Sequence, residues 1–202
     1  MHGKGLLIGV HGKARSGKDT FSEMLAEALF EVTGVKFTLM AFAHELKLRL
    51  QADYDMTYDQ LWGDKKEDID ERYPRHDSVK GFWTPREMLQ EYGEFFRSIK
   101  EDFWVDHLFR VIDEKEIRNV IITDVRLLLE SNRIKDKGGY IIKICRKNRE
   151  IIHNNNHITE VDMEHYEHID FTIENDGDLT DLKKMSVDVA IMLHKLFKEE
   201  LL

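Results

Sequence analysis

An α/β sandwich around a central parallel sheet is the fold class this sequence predicts, and three observations predict it. Short apolar, β-branched runs alternate with segments of helical periodicity along the 202 residues. The first run, GLLIGV at 5–10, ends in a glycine-rich turn that opens directly into a helix. The run NVIITDV at 119–125 is apolar through its middle, as expected of a strand covered on both faces.

In chain order, Phe21, Leu25, Ala28, Leu29 and Val32 recur at helical spacing after the glycine turn. VKFTLMAFA, 35–43, reads as a second strand and HELKLRLQ as the helix after it. Residues 52–83 are rich in Asp, Lys, Glu, Tyr and Trp without long apolar periodicity, which predicts an excursion over the surface. TPRE at 84–87 is a complete helix start, with Thr84 as N-cap, Pro85 at the first position and Glu87 closing a capping box. That helix is expected to run to about Ser98, with another from Asp102. After the strand at 119–125 come a helix at about 126–135, stopped before Gly138 and Gly139, and a strand at 140–145. Residues 146–160 are polar and predict a loop or flap. FTIEN, 171–175, is a last strand, and the final helix is expected to turn Leu179, Leu182, Val189, Leu193 and Leu196 inward.

The size and 42% hydrophobic content suit a single domain with one substantial core. Thirty basic against 39 acidic residues give a net charge of −9, which disfavours nucleic acid and anionic membrane as partners. The single Cys145 supports no disulfide within the chain, and no apolar run reaches membrane-spanning length, so a cytoplasmic location is expected.

Residues 12–18, GKARSGK, meet the phosphate-loop pattern G-x-x-x-x-G-K, but Asp19 stands where a hydroxyl is usual. Glycines let the backbone approach phosphates while N–H groups and the helix N-terminus surround the charge, and Lys18 would reach the β- and γ-phosphates of a nucleotide. The candidate donor set is Gly12, Lys13, Ala14, Arg15, Ser16, Gly17, Lys18, Asp19 and Thr20. A plain glycine turn with a solvated lysine is the alternative, and the flanking strand and helix favour the cradle. Asp19 is a hard oxygen donor suited to Mg²⁺, or else an acid favoured at a helix N-terminus by the dipole.

Arg86, Gln90, Gly93 and Arg97, spaced four, three and four, share one helix face beside an apolar stripe of Met88, Leu89, Tyr92, Phe96 and Ile99. Arginine grips phosphate bidentately, glutamine reads a base edge, and a mid-helix glycine leaves room for a flat ring. An ordinary solvated face is the alternative. Asp124, at the end of its strand, and Arg126 stand where ligands bind in open α/β sheets, with a capping Asp and an Arg126–Glu130 pair as the bland reading. Arg146 and Arg149 open the polar flap and would spread charge in phosphoryl transfer. His153 and His157 lack further ligands at a defined spacing and read as loop histidines.

Taken together, GKARSGKDT, FAHELK, WTPREMLQEYGEFFR with DFWVDHL, IITDVRLLLESNRI with GGYIIKICR, and HITE leading to IDFTIENDG resemble the bacteriophage-type deoxynucleoside monophosphate kinases over nearly the whole chain. The chain departs at Leu127 and Leu128, where the pattern often has Phe-Pro or Phe-Asn. The resemblance implies a P-loop kinase three-layer sandwich over 1–202, with an acceptor-binding helical region at about 44–115 and a short LID at about 146–160. It implies ATP as phosphoryl donor with Mg²⁺ and a deoxynucleoside monophosphate as acceptor; Asp19 and Asp124, as hard oxygen donors at a helix start and a strand end, are the residues read as holding the Mg²⁺. Read from the residues, Lys18, Asp124, Arg126, Arg146 and Arg149 would serve catalysis, with Arg146 also among the ATP-binding residues; carried over by position, Gly12 to Thr20 would bind the ATP phosphates and Asn175, Asp176 and Gly177 would lie near the adenine. Phe42, Lys47, Trp83, Arg86, Gln90, Gly93, Arg97, Trp104 and Arg126 would surround the acceptor, with buried packing an equal option for Trp104. Small nucleotides are the expected partners, and a homodimer is left open. Phosphorylation of another metabolite, such as phosphomevalonate or dephospho-coenzyme A, and ATP binding without turnover are the competing functions.

Overall fold

The computed structural model describes residues 5–146, 163 and 166–199. They divide into two compact units, one of residues 42–107 and one comprising the rest.

The larger unit holds a five-stranded sheet. Its strands are β1 (Leu7–His11), β2 (Thr38–Met40), β5 (Val120–Val125), β6 (Tyr140–Cys145) and β7 (Phe171–Glu174), in the order β2-β5-β1-β6-β7. Every pairing is parallel. All five strands therefore end at one edge, and β1 lies centrally between β5 and β6. Alternation along β1 sends Ile8 and Val10 into a core with Phe21, Leu25 and Leu29 of α1 (Lys18–Thr33) and Leu182, Val189 and Leu193 of α7 (Leu179–Glu199). Gly9 faces the other way, toward Ile134 of α6 (Leu128–Asp136). Helices thus cover both faces, as the unbroken apolar strands require.

Two expectations need correction here. The second strand is three residues long rather than nine, because β2 is the sheet edge and its Thr38 and Leu39 are exposed. On α7, Leu182, Val189 and Leu193 are buried as expected, but Leu179 and Leu196, at the two ends, stay exposed.

The smaller unit comprises α2 (Ala43–Tyr54), α3 (Tyr58–Leu61), a 3-10 turn at Lys65–Glu67, a hairpin of β3 (Asp70–Pro74) and β4 (Phe82–Trp83), α4 (Pro85–Ile99) and the start of α5 (Phe103–Glu114). Both capping boxes of the unit close: Glu87 N–H donates to Thr84 Oγ1 (3.2 Å), and Thr84 N–H to Glu87 Oε2 (2.9 Å). Thr57 and Gln60 repeat the arrangement on α3. Residues 52–83 do more than cross the surface. Met56 and Leu61 are buried in a core with Leu46, Leu50, Met88 and Trp104, walled by half-buried Tyr54, Trp62, Tyr73 and Trp83. The apolar stripe on α4 is narrower than predicted, since Ile99 is exposed.

Candidate functional site

The loop at the carboxyl end of β1 is built by its own sequence. Ser16 N–H donates to Lys13 O (3.1 Å) to close a turn, and Arg15 adopts a left-handed conformation. Gly17 has φ 92°, and a Cβ there would come within 2.4 Å of Asn175 Nδ2. The loop needs this glycine both for its backbone angle and for the close approach of Asn175. That amide donates to Ser16 O at 2.8 Å, and Asn175 N–H donates to Cys145 O at 2.7 Å. Asn175 therefore ties the loop after β1 to the end of β6.

Lys18 is the first residue of α1 and is buried, with Nζ donating to the Asp19 carboxylate at 3.1 and 3.3 Å. Asp19 itself is largely exposed, and Thr20 is half-buried. Ser16 Oγ is buried and has no hydrogen-bond partner. A buried hydroxyl without a protein partner, a lysine held beside it in sequence and the N-terminus of a 16-residue helix together suit this loop to an anionic phosphate.

Around the same sheet edge, β5 ends with Asp124 and Val125, and His11 is in register with Val125. His11 Nδ1 lies 2.9 Å from Val125 O; because a carbonyl only accepts, this nitrogen carries the proton. Asp124 lies inside the strand and is not the N-cap of α6, which is Leu127. Capping falls to Glu130, whose Oε2 accepts the backbone N–H groups of Arg126 (2.7 Å) and Leu127 (3.0 Å). Burial, and secondarily the Asp124 charge, push the Glu130 carboxyl up to about 8. Arg146 is exposed just after β6, beside β1 in the sheet. Asp176 and Gly177 are exposed, whereas the side-chain amide and N–H of Asn175 are both committed inside the protein and are not offered to a base. Arg149, His153, His157 and most of the expected LID lie outside the described residues.

The residues singled out in the smaller unit have definite surroundings there. Trp104 is buried with Nε1 donating to Gly93 O (3.1 Å), which makes it a packing residue rather than an acceptor wall. Phe42 is likewise buried. The space beside Gly93 is taken by Leu46 and by Arg97, each 3.3 Å from where a Cβ would sit, so close helix packing accounts for this glycine. Arg86 pairs with Glu67, Gln90 and Arg97 are half-buried, and Lys47 Nζ sits 5.6 Å from the Trp62 ring centre. Trp83 carries the Arg75 guanidinium over its face at 3.9 Å. A groove of about 420 Å³ in this unit, lined by Asp55, Asp68, Asp70 and Glu71 against Lys65 and Arg72, shares no residue with the predicted acceptor set and is too acidic for a phosphate.

Sequence reading paired Glu130 with Arg126 but missed its hold on the backbone of the turn, and it missed His11 and the latch role of Asn175. For Glu130 a signal was present: a Glu three residues into a helix whose N-cap has no hydroxyl.

A parallel sheet with a glycine loop and a buried lysine at the carboxyl end of its central strand defines the class, a phosphate-loop α/β protein. The model of the deoxynucleotide monophosphate kinase family matches residues 64–185, more than half of the chain, and the chain belongs to that family. It is thus a nucleotide kinase, a phosphotransferase. A protein of Acanthamoeba polyphaga mimivirus, described as a candidate deoxynucleotide monophosphate kinase, is 28% identical over 188 residues, covering 84% of this chain and 88% of its own. Shikimate kinase from Aquifex aeolicus aligns over 95% of this chain and 99% of its own, at 14% identity and a TM-score of 0.44. The enzyme of the same name from Bacteroides thetaiotaomicron gives 13% identity and the same TM-score over 94% and 98%. No described helix is long and apolar enough to cross a membrane.

Proposed function

We propose that the chain transfers the γ-phosphoryl group of ATP to the 5′-phosphate of a deoxynucleoside monophosphate, giving the diphosphate and ADP for DNA precursor synthesis. The observation that carries this reading is the loop of residues 12–18, with buried Lys18 and the unpartnered Ser16 hydroxyl, beside the β5 end bearing Asp124 and Arg126. The family match and the chain-wide resemblance to phage-type kinases support the deoxynucleotide acceptor.

In this reading the N–H groups of residues 12–18 and Thr20 hold the donor phosphates, and Lys18 moves from the Asp19 carboxylate to the β- and γ-phosphates. Arg126, Arg146 and Arg149 balance charge on the transferring group. Because the acceptor phosphate is already anionic, no nucleophilic side chain is needed, and positioning supplies most of the rate. Mg²⁺ fits these residues in one way. Among the described residues no cluster of three or more Asp, Glu, His or Cys is poised for a metal, but Mg²⁺ is commonly bound by one or two carboxylates plus substrate phosphates. Asp19 and Asp124 would hold it, and when bound it neutralises charge on the phosphate oxygens. Lys47, Trp83, Arg86, Gln90 and Arg97 are the proposed acceptor residues, in a helical acceptor region at about 44–115 with a LID at about 146–160. The cytoplasm of an infected cell is the proposed place of action.

The test is a coupled ADP-release assay of the purified chain with ATP, Mg²⁺ and a panel of deoxynucleoside monophosphates, ribonucleoside monophosphates and phosphomevalonate. Turnover that depends on a deoxynucleotide is expected. Turnover on phosphomevalonate alone, or none at all, contradicts the proposal.

A further inference from the structure

The turn between β5 and α6 is fastened by two side chains outside the predicted site. On one side, His11 Nδ1–H donates to Val125 O, and the β1–β5 register is irregular between Gly9 and His11. On the other, the buried Glu130 carboxyl accepts two successive backbone N–H groups, those of Arg126 and Leu127, on one oxygen.

Helix capping alone does not account for this. At Thr57/Gln60 and Thr84/Glu87 the side chain at the third helical position reaches back no further than the N-cap residue, whose N–H and hydroxyl it accepts, and the threonine oxygen in turn accepts the N–H of the third position. At α6 the N-cap is Leu127, which has no hydroxyl to offer. Glu130 reaches one residue further, to Arg126, and it does so from a buried position beside the charge of Asp124. A carboxyl buried beside the charge of Asp124 is costly to ionise, and the additional bond it makes is to the backbone of an arginine.

We infer that Glu130 is a positioning residue for Arg126: by holding the N–H groups of residues 126 and 127, it sets the direction in which the Arg126 side chain leaves the end of β5. His11 anchors the same turn to β1, one residue before Gly12, so the arginine is set against the strand that carries the phosphate loop. Arg126 is thereby preset for the transferring phosphate, and little ordering is left for the moment of reaction. The inference rests on the reading above in which Arg126 belongs to the site.

The experiment compares kcat, KM for ATP and KM for the deoxynucleotide acceptor in the full chain and in Arg126→Ala, Glu130→Gln, Glu130→Asp and the Arg126→Ala/Glu130→Asp double variant, each checked by thermal melting. The amide oxygen of Glu130→Gln accepts the same two N–H groups, so its kcat should stay within about threefold of wild type. Glu130→Asp keeps the carboxyl group but loses reach, and kcat should fall by about tenfold or more with KM for ATP little changed. The double variant should be no slower than Arg126→Ala, since Glu130 acts through that arginine. A slow Arg126→Ala combined with wild-type kcat in Glu130→Asp, a multiplicative loss in the double variant, or a large kcat loss in Glu130→Gln overturns the inference and leaves the reading of Arg126 standing. Wild-type kcat in Arg126→Ala overturns both. If Glu130→Asp does not fold, Glu130→Leu, which removes the acceptors at similar volume, replaces it under the same criteria.

Discussion

Asp70 in the smaller unit and Glu130 in the larger are both buried acids near the start of a structural element, yet they are held in opposite states. Asp70 accepts from Arg72 Nη2 (2.7 Å), Arg72 Nε (2.9 Å) and Gln60 Nε2 (2.8 Å), and the Arg72 hydrogen bond, outweighing burial, holds its carboxyl at about 2. Glu130 has backbone N–H donors and a neighbouring Asp124, and burial pushes it up to about 8. A cation at hydrogen-bond distance outweighs partial burial, whereas backbone dipoles do not outweigh full burial beside a like charge. In the smaller unit, charge closes a hairpin onto an aromatic core; in the larger, it is concentrated at the sheet edge where phosphate is expected.

The contrast is broken most forcefully at Lys18. Lys18→Ala should lower turnover by roughly a thousandfold while leaving the fold intact, because a phosphate-loop lysine acts on charge that develops in the reaction. Arg86→Ala and Arg97→Ala should instead raise KM for the acceptor by about tenfold, with ATP binding preserved. The reverse pattern would assign that helix face to the donor.

The two acids sharpen the contrast through the pH dependence of unfolding. Glu130 has a folded pKa above its unfolded value, so its contribution is fully present below about pH 4.5 and is lost as pH rises toward 8. Chemical melts of Glu130→Gln against wild type should therefore show the variant gaining, on the order of a few kcal/mol, between pH 5 and 8. For Asp70 the sign reverses: its contribution is present above about pH 4 and is lost as pH falls toward 2. Arg72 is about half exposed, so solvent screening limits the effect, and Asp70→Asn should remove about 1 kcal/mol of acid sensitivity. Parallel pH profiles for the two variants would dissolve the comparison.

A smaller effect is expected at Asn175. Asn175→Ala leaves Ser16 O without its buried donor, which should cost about 1–3 kcal/mol in a denaturant melt and raise KM for ATP several-fold. Unchanged KM together with lost stability would make Asn175 a fold residue only.

What could be read in advance follows the range of the forces involved. The strand–loop–helix at residues 5–33, the buried strand ending in Asp124 and the capping box at Thr84 depend on neighbours within a few residues, and the sequence displays them. The core contributed by Met56 and Leu61 was hidden because a four-residue helix and a short hairpin have no periodicity to detect. The Asn175 latch joins residues 159 apart and leaves no local pattern; Glu130 shows its capping position in the sequence, but its burial depends on α6 packing against the sheet. Gly93 looked like a ligand residue and Trp104 was open between a base wall and packing, because glycine and tryptophan serve helix crossings and base stacking alike; the Trp104 hydrogen bond to Gly93 O decides for packing.

The central claim is that a phosphate loop with Asp19 after its lysine supports phosphoryl transfer to a deoxynucleotide. Single-turnover ADP formation, with enzyme in excess of ATP and Mg²⁺ present, tests it most directly. ADP should form rapidly when a deoxynucleoside monophosphate is added and only slowly without it. ATP that binds and stays intact with every deoxynucleotide offered would contradict the claim and leave a binding module in place of an enzyme.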